Sequence, residues 1–386
     1  MIFLRKFIIL LCVITIILCS FGARADAVSL SAVSAVLIDA ENGRILYSEN
    51  ATTQMTMAST TKIMTALLAA EYGKFDEVVT VSNNAVGQEG SSMYLKAGEK
   101  VTLRELLYGL MLSSGNDAAV AIAEHISGSV QNFAVKMTER AKEIGAVQSS
   151  FKNPNGLDEE GHFTTALDLA KIMAVAMKNE EFAKISATYS ITTERATYVN
   201  HNKLLNTYEG ICGGKTGFTK KSGRCLVSVC ERNGFKLIAV TLSSPDDWND
   251  HKKMFDYGYS TYFERVPVSK EVPLCSITAE NGEKTEVVPE KSIRVFLSSE
   301  EEKNMEIIND LPITVALPIR KGQKIGKVTL KVNGIKLGES NLLANRDILP
   351  PEKEDLIFYF TKAVRIWFHA FGNHSESFRL KSSQSS

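Results

Sequence analysis

The 386-residue chain has no excess of either charge: 44 lysines and arginines stand against 44 aspartates and glutamates. That balance gives no general electrostatic case for binding nucleic acid. Cysteine and histidine are scarce, with six of each, and neither a C-x-x-C pair nor a histidine cluster occurs. The ligand spacing of a metal site is therefore missing, and no metal is expected. No internal repeat is present. The length does allow two domains with a substantial core.

The first 25 residues read as a signal peptide. Arg5 and Lys6 form a positive start, Phe7 to Leu18 an apolar stretch, and Ala23-Arg24-Ala25 a small-x-small cleavage pattern before Asp26. Export makes disulfides possible for the four cysteines that follow, Cys212, Cys225, Cys230 and Cys275. Their irregular spacing leaves two readings open, buried free thiols or one disulfide near the strand that carries Lys215.

Three short motifs carry the chemistry. Ser59-Thr60-Thr61-Lys62 comes first, Ser114-Gly115-Asn116 second and Lys215-Thr216-Gly217 third. Each recurs elsewhere in the chain, so their order and context hold the information. Ser59 and Lys62, at i and i+3, share one face of a helix whose continuation, Ile63 to Ala70, is almost wholly apolar. Ser59 is expected at the start of that helix. A serine hydroxyl is a poor nucleophile until a base removes its proton. Lys62 can be that base only when neutral, a state that burial and a neighbouring cation favour, and Lys215 is the candidate cation. Ser114 and Asn116 fall on a polar turn between two helical stretches. There Ser114 can relay a proton to a leaving amine, and the Asn116 amide can hold a substrate carbonyl. Lys215 and Thr216 precede an apolar strand, where they suit a terminal carboxylate on a peptide lying alongside.

These motifs in this order resemble the low-molecular-mass penicillin-binding proteins, the serine-type D-alanyl-D-alanine carboxypeptidases, although Gly115 stands where the familiar middle motif has Asp. Asn153-Pro154-Asn155-Gly156-Leu157 and the stretch Gly161 to Ala170 are similar to that family as well. The resemblance implies removal of the terminal D-alanine from peptidoglycan stem pentapeptides ending in D-Ala-D-Ala, through an acyl-enzyme on Ser59. It also implies acylation by β-lactams and no cofactor. The backbone N–H groups of Ser59 and Phe218 would form the oxyanion hole. A β-lactamase shares the motif layout, with Asp158-Glu159-Glu160 as a possible source of a deacylating acid, and a non-catalytic wall-binding scaffold is a third reading. His162, beside a helix cap, reads as a structural residue.

The expected fold is α+β: a β-lactamase/transpeptidase-like catalytic domain, a sheet flanked by helices, over 26–265. Its hairpins turn at Asn42-Gly43 and Asn233-Gly234, and one long helical region runs from Leu103 to about Ile144. A small antiparallel β domain is expected over 266–347, with strands at Val287-Val288, Ile293 to Leu297, Ile313 to Leu317, Lys327 to Val332 and Ile335 to Leu337. Residues 352–371 read as an amphipathic helix with Lys362, Arg365 and His369 on one face. That stretch is short for a membrane span and fits an interfacial anchor; packing on the protein's own surface is the alternative. The tail, 372–386, is expected to be disordered. Taken together, the chain is expected outside the cytoplasmic membrane, at the membrane surface or cell wall.

Overall fold

The computed structural model describes residues 28–72, 74–350 and 353–371. The expected signal peptide and the tail beyond Phe371 lie outside these residues. The chain divides into two compact units, one ending at Thr261 and the other beginning at Tyr262.

In the first unit, strands β1 (Ser34–Asp39) and β2 (Ile45–Glu49) form the hairpin expected around Asn42-Gly43. A 3-10 turn (Ala58–Thr61) leads into helix α1 (Lys62–Tyr72). Helices α2 (Leu103–Met111), α3 (Asn116–Ser127), α4 (Val130–Ile144) and α5 (Ala166–Ala176) follow. The long helical region breaks at the Ser114 turn and once more at Gly128-Ser129. Gly128 takes the left-handed conformation that ends α3, and the Ser129 side chain caps α4 by accepting from Asn132 N. Strands β3 (Ile211–Thr219), β4 (Gly223–Arg232) and β5 (Phe235–Leu242) come next, then helix α7, preceded in the chain by α6 (Glu180–Ala187) and spanning Asp247–Thr261.

The five strands make one antiparallel sheet in the order β2-β1-β5-β4-β3, so the first and last strands of the unit meet at its centre. Side chains alternate across it. Val36, Ile38, Val227, Val229, Ile238 and Val240 face the main core beneath α5. On the other face, Leu37 and Leu237 meet α7 at Gly258. Strand β3 is an edge strand that pairs only with β4, and at Gly214 its backbone N–H donates to Ser186 Oγ of α6.

In the second unit, β6 (Phe263–Val268) pairs with β9 (Ile293–Leu297). A six-stranded sheet contains β7 (Cys275–Ala279), β8 (Lys284–Pro289), β10 (Met305–Asp310), β11 (Thr314–Val315), β12 (Lys324–Val332) and β13 (Ile335–Ala344). Its ladders are antiparallel except β7 with β11, which is parallel. The run expected at Ile313 to Leu317 contributes only the two residues of β11. A separate core holds Val287, Val295, Val328, Leu330, Leu342 and Ile348. Helix α8 (Lys353–Phe371) ends the described chain. Ile357, Phe360, Val364 and Trp367 recur along one stripe of it and are exposed, with Phe360 at 71%. Among the described residues no helix is long and apolar enough to cross a membrane.

Candidate active site

Ser59 sits in the 3-10 turn, and the α-helix begins at Lys62, three residues later than the sequence led us to expect. The tighter winding has a consequence. With three residues per turn, positions i and i+3 stand almost directly above one another, and Lys62 Nζ lies 2.9 Å from Ser59 Oγ. The turn is held by Met57 O, which accepts from Thr60 N and from Thr60 Oγ1. Ala58 is left-handed, with φ +47°, a conformation that disfavours any residue with a side chain.

Lys62 is wholly buried, and its other two neighbours are carbonyl oxygens, Asn116 Oδ1 and Asn155 O, each at 2.6 Å. Burial pushes its pKa well below the usual lysine value, and the nearby Lys215 charge pushes it further, against a smaller opposing pull from Asp117. A neutral amine has two N–H donors and one lone pair. Both carbonyls can only accept, so they take the two hydrogens and leave the lone pair for the Ser59 hydroxyl. The packing thus orients the neutral amine, and the same burial lowers its pKa.

Lys215 is also buried, and desolvation lowers its pKa to about 7. Its Nζ donates to Ser114 Oγ at 3.1 Å and to Thr216 O at 2.9 Å. Ser114 is left-handed, with φ +60°. Asn116 opens α3; its Oδ1 accepts from Lys62 while Nδ2 donates to Glu89 O, leaving one amide hydrogen. A cavity of about 810 Å³ is lined by Ser59, Ser114, Thr216, Gly217 and Phe218 among others. The structure thus gathers Ser59, Lys62, Ser114, Asn116, Lys215, Thr216, Gly217 and Phe218 around one cleft beside the edge strand β3.

Several supports were not legible as motifs. Asn155 contributes a backbone carbonyl, which no side-chain pattern announces; the Pro154-Asn155-Gly156 turn was its one trace. Buried Asp117 accepts from Met93 N, Leu95 N and Ser92 Oγ, and so fixes the segment whose Ser91 also lines the cavity. His162 accepts from Lys152 N through Nδ1, so its Nε2–H donates to Thr61 Oγ1 at 2.8 Å; burial lowers its pKa to about 4. It is a neutral strut. Asp158, Glu159 and Glu160 line a different cavity, with His162 and Lys221. The four described cysteines are free thiols, and burial raises the pKa of each. Among the described residues no group of three His, Cys, Asp or Glu could hold a metal ion.

A serine hydroxyl facing a buried amine, under a sheet edge bearing a second lysine, is an arrangement in which an amine can serve as base to a serine nucleophile. Comparison with known proteins gives the finer class. Residues 21–246 match the D-alanyl-D-alanine carboxypeptidase family, and residues 264–349 match the C-terminal domain of penicillin-binding protein 5. D-alanyl-D-alanine carboxypeptidase DacF of Bacillus subtilis is 34% identical over 363 residues, covering 90% of this chain and 92% of that protein. DacC of Escherichia coli is 28% identical, covering 84% and 86%. The crystal structure of penicillin-binding protein 5 from Haemophilus influenzae superposes with a TM-score of 0.68 at 26% identity, covering 83% of this chain and 98% of that one. The chain belongs to the D-alanyl-D-alanine carboxypeptidase family. It is a hydrolase of the peptidase class.

Gly156 tests the turn. Its φ is +88°, and an added Cβ would lie 2.0 Å from Ala58 O. Gly156→Ala is expected to cost about 1 to 2 kcal/mol from the backbone alone, and more from the clash. Because Asn155 O moves with it, both melting temperature and the rate of serine acylation should fall; an unchanged acylation rate would show that this carbonyl does not set the Lys62 amine.

Proposed function

We propose that Ser59 is the nucleophile and neutral Lys62 its base. The observation that carries this reading is the fully buried Lys62 amine, held between two carbonyl oxygens and the Ser59 hydroxyl. Lys62 takes the hydroxyl proton as Ser59 Oγ attacks the carbonyl between two D-alanines. The resulting oxyanion is stabilised by the backbone N–H groups of Ser59 and Phe218; the close approach of Gly217 to the Ser59 and Thr60 nitrogens supports that pairing. Ser114 passes a proton to the departing amine, the terminal D-alanine leaves, and water releases the acyl group. Asn116 holds the substrate backbone through its remaining amide hydrogen. Lys215, with Thr216 and Gly217, receives the terminal carboxylate. The substrate is a peptidoglycan stem peptide ending in D-Ala-D-Ala, and β-lactams acylate the same serine. The β-lactamase alternative is disfavoured by the position of the acidic cluster 158–160, which lines a separate cavity.

We further propose that residues 1–25 direct export, that the unit ending near Thr261 does the chemistry, and that α8 binds the membrane surface. On α8, Lys362 and Arg365 lie on the side opposite the apolar stripe. Burying several large apolar side chains contributes about 1.5 to 3 kcal/mol each, and each cation adds about 1 kcal/mol near anionic headgroups.

Mass spectrometry after exposure to benzylpenicillin should show a lasting covalent adduct that is absent from Ser59→Ala. An adduct on that variant would remove Ser59 as nucleophile, and rapid drug turnover would favour a β-lactamase.

The pH dependence follows from the two lysines. Lys215 is a cation below about pH 7 and loses its charge above it; Lys62, whose pKa burial and the Lys215 charge hold well below the usual lysine value, acts in its unprotonated form. For a D-Ala-D-Ala peptide, kcat/KM should therefore fall as pH rises through about 7. The same peptide with its terminal carboxyl amidated should lack that alkaline limb; identical limbs for both would contradict the carboxylate role of Lys215.

Truncation tests the anchor. Ile348 is buried and pairs with Ile319, so the cut belongs after Leu349. A chain ending there should fail to float with anionic vesicles yet still release D-alanine; flotation equal to that of the full chain would refute the anchor.

A further inference from the structure

The cavity holding Ser59 continues past Gly217 and Phe218 to Arg224, Asp247 and Trp248, and the proposed chemistry uses none of these three. Arg224 stands on β4 directly across from Phe218, while Asp247 and Trp248 open α7. Nearly buried Asp247 accepts through Oδ1 from Arg224 Nε at 3.0 Å and Nη2 at 2.7 Å. The guanidinium carbon lies 5.4 Å from the Trp248 ring centroid. Clamped by a carboxylate on one side and an aromatic ring on the other, the guanidinium is held in a fixed position. Its Nη1 takes no part in the bonds to Asp247, and the side chain is 42% exposed. Around the cavity as a whole, Lys203 and Arg224 outnumber the single carboxylate of Asp247.

Strand geometry relates this corner to the substrate. An extended peptide beside β3 advances about 3.3 Å per residue, and residues paired across strands lie about 5 Å apart. When the D-alanine to be acylated has its carbonyl at Ser59, beside Gly217, the residue before it falls near Phe218. Phe218 is 66% exposed and offers an apolar surface to the methylenes of a long side chain. A side chain four or five atoms long spans about the 5 Å between neighbouring strands, in the direction of Arg224.

We infer that Arg224, fixed by Asp247 and Trp248, is a specificity subsite for a carboxylate on the side chain of the residue preceding D-Ala-D-Ala. A diamino dicarboxylic acid at that position is then preferred over lysine, whose side chain ends in a cation. The inference rests on the D-Ala-D-Ala peptidase reading above and names the stem peptide on which it acts.

The test compares three synthetic peptides, X-D-Ala-D-Ala, in which X is diaminopimelic acid, the same residue with its side-chain carboxyl amidated, or lysine. A charge-assisted hydrogen bond corresponds to about ten-fold in kcat/KM, so the free acid should be cleaved about ten times more efficiently than either of the others. In Arg224→Gln the acid-to-amide ratio should drop to about one, and Arg224→Lys, which keeps the charge, should recover part of it. A ratio near one in the unaltered enzyme, or the full ratio retained in Arg224→Gln, would overturn the subsite. If Arg224→Gln loses the fold, the acid-to-amide ratio of the unaltered enzyme decides alone. Benzylpenicillin acylation separates the two levels: its absence, together with no release of D-alanine from any peptide, sinks the peptidase reading, whereas intact acylation with a ratio near one sinks only the subsite.

Discussion

The burial of one amine organises this molecule. A lysine taken out of water is expensive to keep charged; wholly buried Lys62, with a second buried lysine nearby, is pushed toward the neutral form, while two carbonyls and a hydroxyl fix where its nitrogen lies. These groups come from four distant places. The hydroxyl is on the 3-10 turn, one carbonyl on the first residue of α3, the other on the loop before α5, and Lys215 on the sheet edge. The sheet, built from both ends of the first unit, brings β3 to the turn, while Asp117 pins the segment 92–95 and His162 ties Thr61 to Lys152 on the loop that carries Asn155. Removing any one of these supports would leave a buried donor or acceptor without its partner, which costs more than the bond itself contributes.

Backbone conformation carries part of the same load. Ala58 and Ser114, both non-glycine, are left-handed, and both lie at the cleft. Such conformations persist where surrounding contacts over-determine them. Here the contacts are visible: Met57 O on Thr60 beside Ala58, and the Lys215 amine on the Ser114 hydroxyl. Glycines fill the complementary positions. Gly156 clears Ala58 O, and Gly217 lets the strand approach the Ser59 and Thr60 nitrogens.

Much of this was legible in the sequence, for a reason that differs from residue to residue. Ser59 and Lys62 form a local pair, so spacing alone placed them together. Joining Lys215 and Ser114 to them took the order of the motifs and a family resemblance, because a 101-residue separation has no periodic signature. Asn155 acts through its backbone and Asp117 through three partners at 91–95, and neither leaves a side-chain pattern. Among the strands, those with alternating burial such as β12 and β9 were readable. β10, exposed at nearly every position, carried no alternation to read, and β6 and β7 went unnoticed with it. The break at Gly128 was hidden within a helical run because a single glycine there looks tolerable until its left-handed φ is seen.

The open side of β3 has a cost that catalysis does not reveal. A strand edge kept free for a substrate backbone is also a template on which any other extended chain, including another copy of the protein, can add itself and begin to aggregate. Here the edge is broken up: the ladder shifts register between Ile211 and Gly213, Gly214 adopts a φ of +151°, and glycines stand at 210, 213, 214 and 217. These residues make poor partners for a flat, continuous ladder. The glycine-rich approach to Lys215 is therefore a poor template for the long, uniform ladder on which a fibril could grow, and at Gly214 the backbone N–H is already taken by Ser186 Oγ.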